Sequence, residues 1–477
     1  MLLVIIFIAF LLRLINLNQS LWLDEAINLN NVSALGFREL MLNYSLSDFH
    51  PPLYHLVLKT WVNFFGNSEI SARAPSIIFA LGSILFVYLI GKKLYDAKTG
   101  LISALLLATA PLHVYYSQEA RMYMLAAFLT TVSVYFFLSI FEKDKLYNWL
   151  GFITSTALVL YTDYLPYLII PVYILYLIII KRQTSRHTLI SFIPAFSIIV
   201  ILLVPWLIIL PKQLQVGLSV AAAFPAWASV VGSGSLKDFF LSFVKFTIGR
   251  ISNDNNLVYA LIFTPVGCFV AFLSLLSLFR ISPKRSFIYL WFLMPLVLAF
   301  VISLYVPVFS YFRFIFILPA FYIIWASAIN IINWGLPTRT LLAGALTVNL
   351  TATFIYLVNP RFQRENWKEA VAYVTSRADK YTITLFESEH PAAPFDYYNR
   401  GKVQAQGTLE GLNADREYIK KRLSNLLDQK SKIYLFQYLS PLTDPQGLVF
   451  QEITSLGFNN TYTKNFNGVG FVYEFAR

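Results

Sequence analysis

The feature that most constrains this chain is a series of long apolar runs separated by short polar loops. About 20 apolar residues cross a bilayer, and in hydrocarbon a backbone without barrel periodicity must be helical. About eleven runs lie near residues 1–18, 73–91, 100–116, 122–141, 147–162, 165–180, 189–210, 257–279, 286–306, 312–332 and 340–358. The fifth and sixth runs are short and would also fit one bent hairpin around Asp163 and Pro166. We therefore predict an all-α polytopic membrane domain over residues 1–358.

Composition agrees with a membrane protein. Apolar residues make up 57% of the 477 residues and charged residues 13%, against about 25% charge in soluble domains. Burying charge in hydrocarbon is expensive, which explains the difference. The net charge of +12 includes no basic run that would favour nucleic acid as a partner. Cys268 is the only cysteine, so no intrachain disulfide is expected, and the first run is expected to stay as a span because no small-residue cleavage site follows it.

Lysine and arginine are concentrated in alternate short loops, which the positive-inside rule assigns to the cytoplasm. These loops contain Lys92, Lys93, Lys98, Lys143, Lys145, Lys181, Arg182, Arg186, Arg280, Lys284, Arg285 and Arg339. Three larger pieces are then expected outside the cytoplasm: residues 19–72, residues 211–256 and the tail from about 360. Within the second piece, residues 235–250 have the apolar spacing of a helix lying in the membrane interface. The chain is expected to be a multi-pass protein of the plasma (inner) membrane.

The tail has a different character from the rest of the chain. It holds 15 of the 37 Lys and Arg residues and 13 of the 25 Asp and Glu residues. Residues 359–477 are predicted to form a small α/β domain outside the cytoplasm. The helical segments are expected at Trp367–Ala378 and Asp415–Gln429, and the strands at Tyr381–Phe386, Lys432–Tyr438 and Gly470–Phe475.

Two acidic motifs lie in the first outer loop. Asp24 and Glu25 follow the first span directly; such carboxylates can act as a general base or orient sugar hydroxyls. Trp22 beside them is a candidate sugar or interface platform. The alternative is a solvated acidic pair that caps a loop helix. Later in the loop, Asp48 and His50 precede two prolines that would fix the backbone at a helix start.

Tyr54 completes that second motif, whose alternative interpretation is an ordinary helix start. A third polar motif joins the third and fourth runs and contains Glu119, Arg121 and Tyr123. Arg121 is suited to bidentate binding of a lipid phosphate. A Glu119–Arg121 cluster at the membrane interface, without a substrate, is the alternative.

Two further charged residues lie close to the membrane on the expected outer side. Asp163 is at the tip between the fifth and sixth runs, and Arg313 begins the tenth. Charge near the membrane is costly and therefore indicates function. The alternative for Asp163 is a tip that reaches water. Arg121 and Arg313 both depart from the positive-inside trend, so we expect them to face an anion; snorkelling to headgroups is the alternative. All these motifs are expected on one side of the membrane.

The ordered set of motifs resembles that of a known family. The matching residues are Trp22–Ala26, His50–Tyr54, Trp61, Phe65, Gly66, Glu69, Arg73, Pro111, Tyr115–Tyr123, Arg313, Pro319, Ala320 and Asn366–Val371. They resemble GT-C glycosyltransferases of the dolichyl-phosphate-mannose protein mannosyltransferase type, and most of all the bacterial and archaeal membrane-bound mannosyltransferases and the lipid A aminoarabinose transferases. The resemblance is dense over residues 1–180 and looser afterwards.

The resemblance implies a GT-C membrane fold and an inverting transferase. The donor would be a sugar on a polyprenyl-phosphate carrier, and the acceptor a lipid, glycan or protein outside the cytoplasm. Asp24 would be the catalytic base, and Arg121 or Arg313 would stabilise the departing lipid phosphate. Glu25, His50 and Asp163 would position the sugar or the acceptor.

No cofactor is assigned from the sequence. The carboxylates and His50 would be able to gather a divalent metal, but no ligand spacing indicates one. Two other functions stay open at this stage. A transporter or flippase of lipid-linked glycans would need polar residues near the bilayer midplane and repeated halves. A non-catalytic envelope assembly protein would use the tail to bind a partner.

Overall fold

The computed structural model describes residues 1–223, 232, 234–331, 335–389, 392–409, 411 and 414–477. The chain forms two compact units. The first, called the membrane unit here, comprises Met1–Leu17, Gly36–Gly66 and Ile70–Val358. The second, called the tail unit, comprises Asn18–Leu35, Asn67–Glu69 and Asn359–Arg477.

The membrane unit is helical almost throughout. Its α-helices are Leu2–Leu14, Phe37–Glu39, Ser45–Ser47, Leu53–Phe65, Glu69–Leu94, Ala97–Thr109, Pro111–Ser117, Tyr123–Ile140, Leu146–Leu160, Ile169–Ile180, Arg186–Ala223, Leu236–Ile248, Asn256–Ser277, Ser286–Ser303, Leu318–Ile329 and Leu336–Val358. A π-helical turn covers Leu40–Tyr44, and 3₁₀ turns cover Leu165–Leu168, Leu278–Arg280 and Tyr311–Ile317. Residues 224–231 and 233 of the predicted second outer piece lie outside the described residues.

The predicted apolar runs are all helical. Within the described residues, seven helices are long and apolar enough to cross a membrane: Glu69–Leu94, Tyr123–Ile140, Arg186–Ser219, Asn256–Arg280, Ser286–Ser303, Tyr311–Ile329 and Leu336–Val358. Ala97–Thr109 and Pro111–Ser117, bent by 59°, form an eighth if they are one span. Shorter apolar helices at Leu2–Leu14, Leu146–Leu160 and Leu165–Ile180 fall on the first, fifth and sixth runs. The multi-pass membrane fold is therefore confirmed, and the fifth and sixth runs are two helices.

The bend in the third run has a local cause. Pro111 lacks an N–H group, which favours it at the start of a helix and removes a hydrogen bond from any helix that continues through it. The break leaves the carbonyl of Ala108 without a helical donor, and the guanidinium of Arg13 donates to it at 3.1 Å. Arg13 is fully buried, lies 2.7 Å from His113 Nδ1 and donates to Ala9 O as well. A costly buried charge thus joins the first helix to the bent pair.

The tail unit is an α/β structure built on one five-stranded sheet. Its strands are β1 (Thr382–Phe386), β2 (Gln404–Gly407), β3 (Lys432–Phe436), β4 (Asn459–Phe466) and β5 (Gly470–Ala476). Their order is β2-β1-β3-β5-β4; β1 is parallel to β2 and β3, and β5 is antiparallel to β3 and β4. The helices are Leu23–Ala34, Trp367–Thr375, Ala392–Asn399, Arg416–Leu426, Ser440–Thr443 and Leu448–Ser455, with a 3₁₀ turn at Pro360–Phe362.

Side chains of the central strands alternate between two apolar layers, as the period of a strand requires. Phe386 and Phe436 pack with Trp367 on one face of the sheet. Leu385 and Leu435 pack with the helices of the other face. The predicted α/β tail is confirmed, and its three predicted strands correspond to β1, β3 and β5.

Candidate active site

The polar centre of the membrane unit is the carboxylate of Asp48. Phe49 follows it with a φ of +59°, a left-handed conformation that is strained for a large side chain. This turn brings the ring of His50 back, so that Nδ1 lies 3.0 Å from Asp48 Oδ2 and 2.7 Å from the Asp48 main-chain oxygen. Pro51 and Pro52 then lead into the helix Leu53–Phe65. This turn therefore holds Asp48 and His50 against each other.

Three more side chains converge on Asp48. His55 Nε2 lies 3.2 Å from Oδ2, the Tyr44 hydroxyl donates to Oδ1 at 3.3 Å, and Arg121 Nη1 is 3.8 Å from Oδ1. Burial alone would raise the pKa of Asp48. The charge on His55, with the hydrogen bonds of both histidines, overcomes burial and holds that pKa well below its usual value of 3.8. Asp48 is therefore an ionised carboxylate surrounded by cationic and donor groups.

The turn that carries Arg121 is anchored by its neighbours. The Gln118 amide donates to the main-chain oxygens of Arg13 and Ile15 at 3.0 and 2.6 Å. The main-chain oxygen of Glu119 accepts a bond from Ser76 at 2.6 Å. Glu119 and Arg121 are both buried. The structure therefore fixes this turn rigidly and places Arg121 at Asp48.

Asp163 is connected to the same region through a hydrogen-bonded chain. Its Oδ1 accepts from the main-chain N–H of Tyr164 at 2.7 Å. The Tyr164 hydroxyl donates to Gln213 Oε1. The Gln213 amide in turn donates to the main-chain oxygen of Ser45 at 2.6 Å and, more weakly, to that of His50 at 3.4 Å. These hydrogen bonds connect the tip that carries Asp163 to the turn that carries His50.

An aromatic surface with two cations lies in the same unit. The rings of Tyr115, Tyr116, Tyr123 and Phe312 contact one another, with centroids 4.9–6.1 Å apart. Arg250 donates to the Tyr115 hydroxyl at 2.6 Å and stacks 4.8 Å over its ring. Lys245 donates to Ile251 O at 2.6 Å and lies 5.7 Å over the ring of Tyr311. Arg250 is exposed, so its guanidinium remains accessible to a ligand.

Arg313 lies next to this surface in the chain, in the 3₁₀ turn Tyr311–Ile317. It is partly buried. Within the described part of the chain, its guanidinium makes no hydrogen bond or ion pair. A partly buried guanidinium without a protein partner is suited to an anionic ligand.

Trp22, Asp24 and Glu25 belong to the tail unit, at the start of the helix Leu23–Ala34. Glu25 is fully buried and its carboxylate accepts a long bond, 3.5 Å, from the main-chain N–H of Trp22, which caps the helix. Asp24 is partly exposed. The predicted pair is therefore divided: Glu25 is a buried cap and not solvated, whereas Asp24 keeps access to solvent.

A third carboxyl group accompanies Asp24 in the tail unit. Glu365 accepts hydrogen bonds from the Tyr438 hydroxyl at 2.8 Å and from the Trp367 indole at 2.7 Å. Burial, aided by the charge of Asp24, raises the pKa of Glu365 to about 7, although these hydrogen bonds oppose the shift. Glu365 is thus close to half-protonated at neutral pH and stands beside the exposed carboxylate of Asp24.

The segment that carries Asp24 is tied to the rest of the tail unit. The main-chain N–H of Leu21 donates to the Tyr398 hydroxyl at 2.9 Å. That hydroxyl donates to Glu69, which is paired with Lys368 at 2.8 Å. These bonds explain why Asn18–Leu35 packs with the tail and not with the helices that flank it in sequence.

This chain is similar to known proteins in sequence and in fold. A family model for dolichyl-phosphate-mannose-protein mannosyltransferases matches residues 49–209. The crystal structure of ArnT from Cupriavidus metallidurans in the apo state is similar, with a TM-score of 0.60 at 11% identity over 99% of this chain and 97% of that chain. This chain has the GT-C glycosyltransferase fold. The resemblance predicted from the motifs is confirmed.

Two further GT-C structures are similar to this chain. ArnT from Cupriavidus metallidurans bound to undecaprenyl phosphate gives a TM-score of 0.58 at 12% identity, covering 99% of this chain and 97% of that chain. The oligosaccharyltransferase AglB from Archaeoglobus fulgidus, in complex with an inhibitory peptide and a dolichol-phosphate, gives 0.56 at 12% identity, covering 99% and 74%. A sequence comparison with curated proteins found no match.

The GT-C chain holds several site residues that sequence reasoning missed. His55 contacts Asp48, Arg250 and Lys245 border the aromatic surface, and Glu365 accompanies Asp24. One signal was available for the two cations: both lie in the predicted second outer piece, where lysine and arginine are unexpected. Among the described residues, no group of three or more His, Cys, Asp or Glu side chains is arranged to hold a metal ion.

Proposed function

We propose that this chain is a membrane glycosyltransferase that moves one sugar from a polyprenyl-phosphate carrier to an acceptor outside the cytoplasm. The observation that carries the proposal is the GT-C fold, which extends over 99% of the chain and is shared with an ArnT structure bound to undecaprenyl phosphate. The match to the mannosyltransferase family model supports the same chemistry. The acceptor class is a lipid, a glycan or a protein.

The donor phosphate is assigned to arginines of the membrane unit. Among the described residues the guanidinium of Arg313 has no partner, and Arg250 is exposed beside the ring of Tyr115. Arg121 is the less available of the three because Asp48 partly neutralises it. A guanidinium binds phosphate bidentately, and in a site of low dielectric it stabilises the charge that develops on the leaving group.

Asp48 and His50 are proposed to orient the sugar or the acceptor. Asp48 is ionised and accepts hydrogen bonds, and the turn that holds it is strained and multiply bonded, so its geometry is preorganised. Asp163 is proposed to support this turn through Tyr164 and Gln213. Tyr54 lies in the helix Leu53–Phe65, Glu119 in the turn after Ser117 and Tyr123 at the start of the helix Tyr123–Ile140. All three keep their predicted binding roles as part of the proposal.

The catalytic base is proposed to be Asp24. Its carboxylate would take the proton of the acceptor hydroxyl as the acceptor oxygen forms a bond to the anomeric carbon. The bond from that carbon to the phosphate oxygen breaks with its electron pair, which leaves a polyprenyl phosphate. Attack from the face opposite the leaving group inverts the anomeric configuration. Glu25, as a buried cap, supports the position of Asp24.

The test is a transfer assay with the purified chain in nanodiscs. Polyprenyl-phosphate sugars that carry different labelled hexoses or pentoses are incubated with envelope lipids and proteins from cells that lack the gene. We expect the label to move to one acceptor fraction and polyprenyl phosphate to be released in equal amount. Mass spectrometry of glycolipids and glycoproteins with and without the gene identifies the product. Translocation of the donor without its cleavage would instead indicate a flippase, and neither event would indicate an assembly protein.

A further inference from the structure

The carboxyl ends of β1 and β3 in the tail unit border a cleft that has no role in the proposed transfer. The cleft has a volume of about 290 Å³ and is lined in part by Glu387, Gln437, Ser440, Phe450 and Tyr473. That volume is at the lower end of the range of roughly 300–1,000 Å³ for small-ligand sites. The cleft is therefore large enough for one monosaccharide-sized group.

The position of the cleft follows from the strand order. The chain leaves β1 towards β2 on one side, and it leaves β3 towards β5 and β4 on the other. Connections that diverge from adjacent parallel strands open a crevice at their carboxyl ends, and this is where ligands bind in open α/β sheets. Phe386 is paired with Phe436, so Glu387 and Gln437 follow at corresponding positions on the same face.

The loop after β3 is held in a strained shape. Leu439 has a φ of +63°, which is unfavourable for a side chain of its kind. Thr443 donates to Glu387 Oε2 at 2.7 Å, and the main-chain N–H groups of Leu448 and Val449 donate to Asp444 at 2.9 and 2.8 Å. These bonds fix Ser440 and the neighbouring helix around the cleft, so its walls are preformed.

The lining mixes polar and apolar side chains and includes no cation among its described residues. Gln437 is partly exposed, and its side-chain amide makes no hydrogen bond within the part of the chain that the structure describes. Burial, as the largest effect, raises the pKa of Glu387 to about 8, so this carboxyl is mostly protonated and a donor at neutral pH. Arg416 donates a hydrogen bond to Gln451, which is a lining residue, and its guanidinium is already paired with Glu452 at 2.9 Å.

Aromatic rings complete the lining. Phe450 and Tyr473 meet edge to face with centroids 5.1 Å apart. Amide groups, a hydroxyl and an uncharged carboxyl beside apolar rings match the alternating hydroxyls and C–H faces of a sugar. A phosphate or nucleotide would instead need N–H groups of a glycine-rich turn or a free cation. The turn after β1 reads Glu387-Ser388-Glu389 and offers neither.

We propose that this cleft binds a single neutral sugar residue, as a site separate from the transfer chemistry. It offers hydrogen bonds from Gln437 and Ser440 to sugar hydroxyls and a ring face from Phe450 or Tyr473. The proposal rests on the tail unit alone and does not depend on the proposed function.

The experiment is ligand-observed saturation-transfer NMR on the full chain in nanodiscs, which avoids sugar-based detergents. The probes are methyl α-mannoside, methyl β-glucoside, methyl β-galactoside and inorganic phosphate. We expect one or more glycosides to bind, and Gln437→Ala or Phe450→Ala to weaken binding by roughly tenfold, equivalent to about 1.4 kcal/mol. Gln404→Ala is the matched control, because Gln404 is an exposed glutamine on the edge strand β2.

Each outcome decides the proposal. No glycoside binding, stronger binding of phosphate, or equal binding by Gln437→Ala and the control would overturn it. If Phe450→Ala does not fold, Gln437→Ala and Gln446→Ala, which alters an exposed residue of the lining, still test it. Asp24→Asn should bind the glycoside normally. Loss of transfer with retained glycoside binding therefore separates failure of the proposed function from failure of this site.

Discussion

The Tyr438 hydroxyl donates a hydrogen bond to Glu365 at 2.8 Å. The bond would ordinarily favour the ionised carboxylate, yet burial and the neighbouring Asp24 raise the pKa of Glu365 to about 7. Glu365 can therefore change charge near neutral pH beside the partly exposed carboxyl group of Asp24.

The raised pKa of Glu365 predicts how stability depends on pH. The unfolded chain releases this proton near 4.5 and the folded chain near 7, so the folded state binds more protons between these values. Stability then falls as pH rises through this window. Thermal unfolding midpoints between pH 5 and pH 8 should decrease for the native chain and decrease less for Glu365→Gln. Glu387, with a pKa raised to about 8, contributes with the same sign, so a residual slope should persist and be smaller again in the double variant with Glu387→Gln. An unchanged slope in both variants would contradict the assignment.

The membrane architecture was predictable because its physical cause is local. Each long apolar run must be helical in hydrocarbon whatever its neighbours are, and all the predicted runs are helices. In the tail, β1, β3 and β5 were recognisable from apolar and aromatic residues. The edge strands β2 and β4 were not, because Gln404–Gly407 is short and polar and Asn459–Phe466 is polar and largely exposed. Their strand conformation comes from pairing with β1 and β5.

Two of the missed residues, Glu365 and Arg250, acquire their role from partners distant in sequence. Glu365 is an ordinary surface residue by composition, and only burial with Tyr438 and Asp24 shifts its pKa. Arg250 pairs with Tyr115 across 135 residues. The motif suggested similar roles for the adjacent residues Asp24 and Glu25. In the structure their environments differ, because Glu25 is buried as a cap and Asp24 is accessible. Sequence spacing could not reveal that difference.

The predicted sidedness can be tested by cysteine labelling. Single cysteines replace Gln404 and Thr184 in a Cys268→Ser background, so that each variant has one thiol. The distribution of Lys and Arg predicts that the cysteine at 404 reacts with an impermeant thiol reagent in intact cells and that the one at 184 reacts only after permeabilisation. The reverse pattern would place the tail in the cytoplasm and remove the proposed extracytoplasmic reaction.

The proposed phosphate-binding arginines predict a selective loss of donor use. Arg313→Ala or Arg250→Ala each removes a charged hydrogen bond worth about 1.5–3 kcal/mol, or roughly ten- to a hundredfold in use of limiting donor. Arg339→Ala is the matched control, since Arg339 is exposed and lies on the predicted cytoplasmic side. Initial rates at limiting polyprenyl-phosphate sugar measure the effect. Normal rates in both variants would make these arginines membrane anchors only.

Asp48 is predicted to contribute to both stability and turnover. Asp48→Asn replaces an ionised carboxylate beside His55 with a neutral amide, so the pairing energy is lost. Because the pKa of Asp48 is depressed, its contribution is present above the unfolded value of 3.8 and is lost only as pH falls through the lower folded value. At neutral pH we expect a lower unfolding midpoint and a reduced transfer rate. Asp428→Asn, at an exposed position, is the control and should change neither. If Asp48→Asn keeps the unfolding midpoint and the transfer rate of the native chain, Asp48 is not the polar centre of the active site.

The last prediction separates the two members of the first acidic motif. A sugar or lipid hydroxyl is a poor nucleophile at neutral pH, so the transfer benefits from a positioned base. Asp24 is partly exposed and ionisable, whereas Glu25 points about 100° away around the helix and is buried as a cap. Asp24→Asn keeps the shape but cannot accept a proton. We expect it to lower turnover on the order of a hundredfold or more while donor affinity stays nearly unchanged.

Glu25→Gln is the contrasting variant, since an amide oxygen can still accept the bond from the Trp22 N–H. It should fold and lose much less activity, chiefly through acceptor affinity. Transfer rates and donor affinities of the purified variants in nanodiscs measure both effects. Glu365→Gln adds a further readout: the glutamine is uncharged at every pH, so any part of the pH–rate profile near pH 7 that comes from titration of Glu365 should be lost. Near-normal turnover in Asp24→Asn would remove Asp24 from the mechanism and make Glu365 or Asp163 the next base to test.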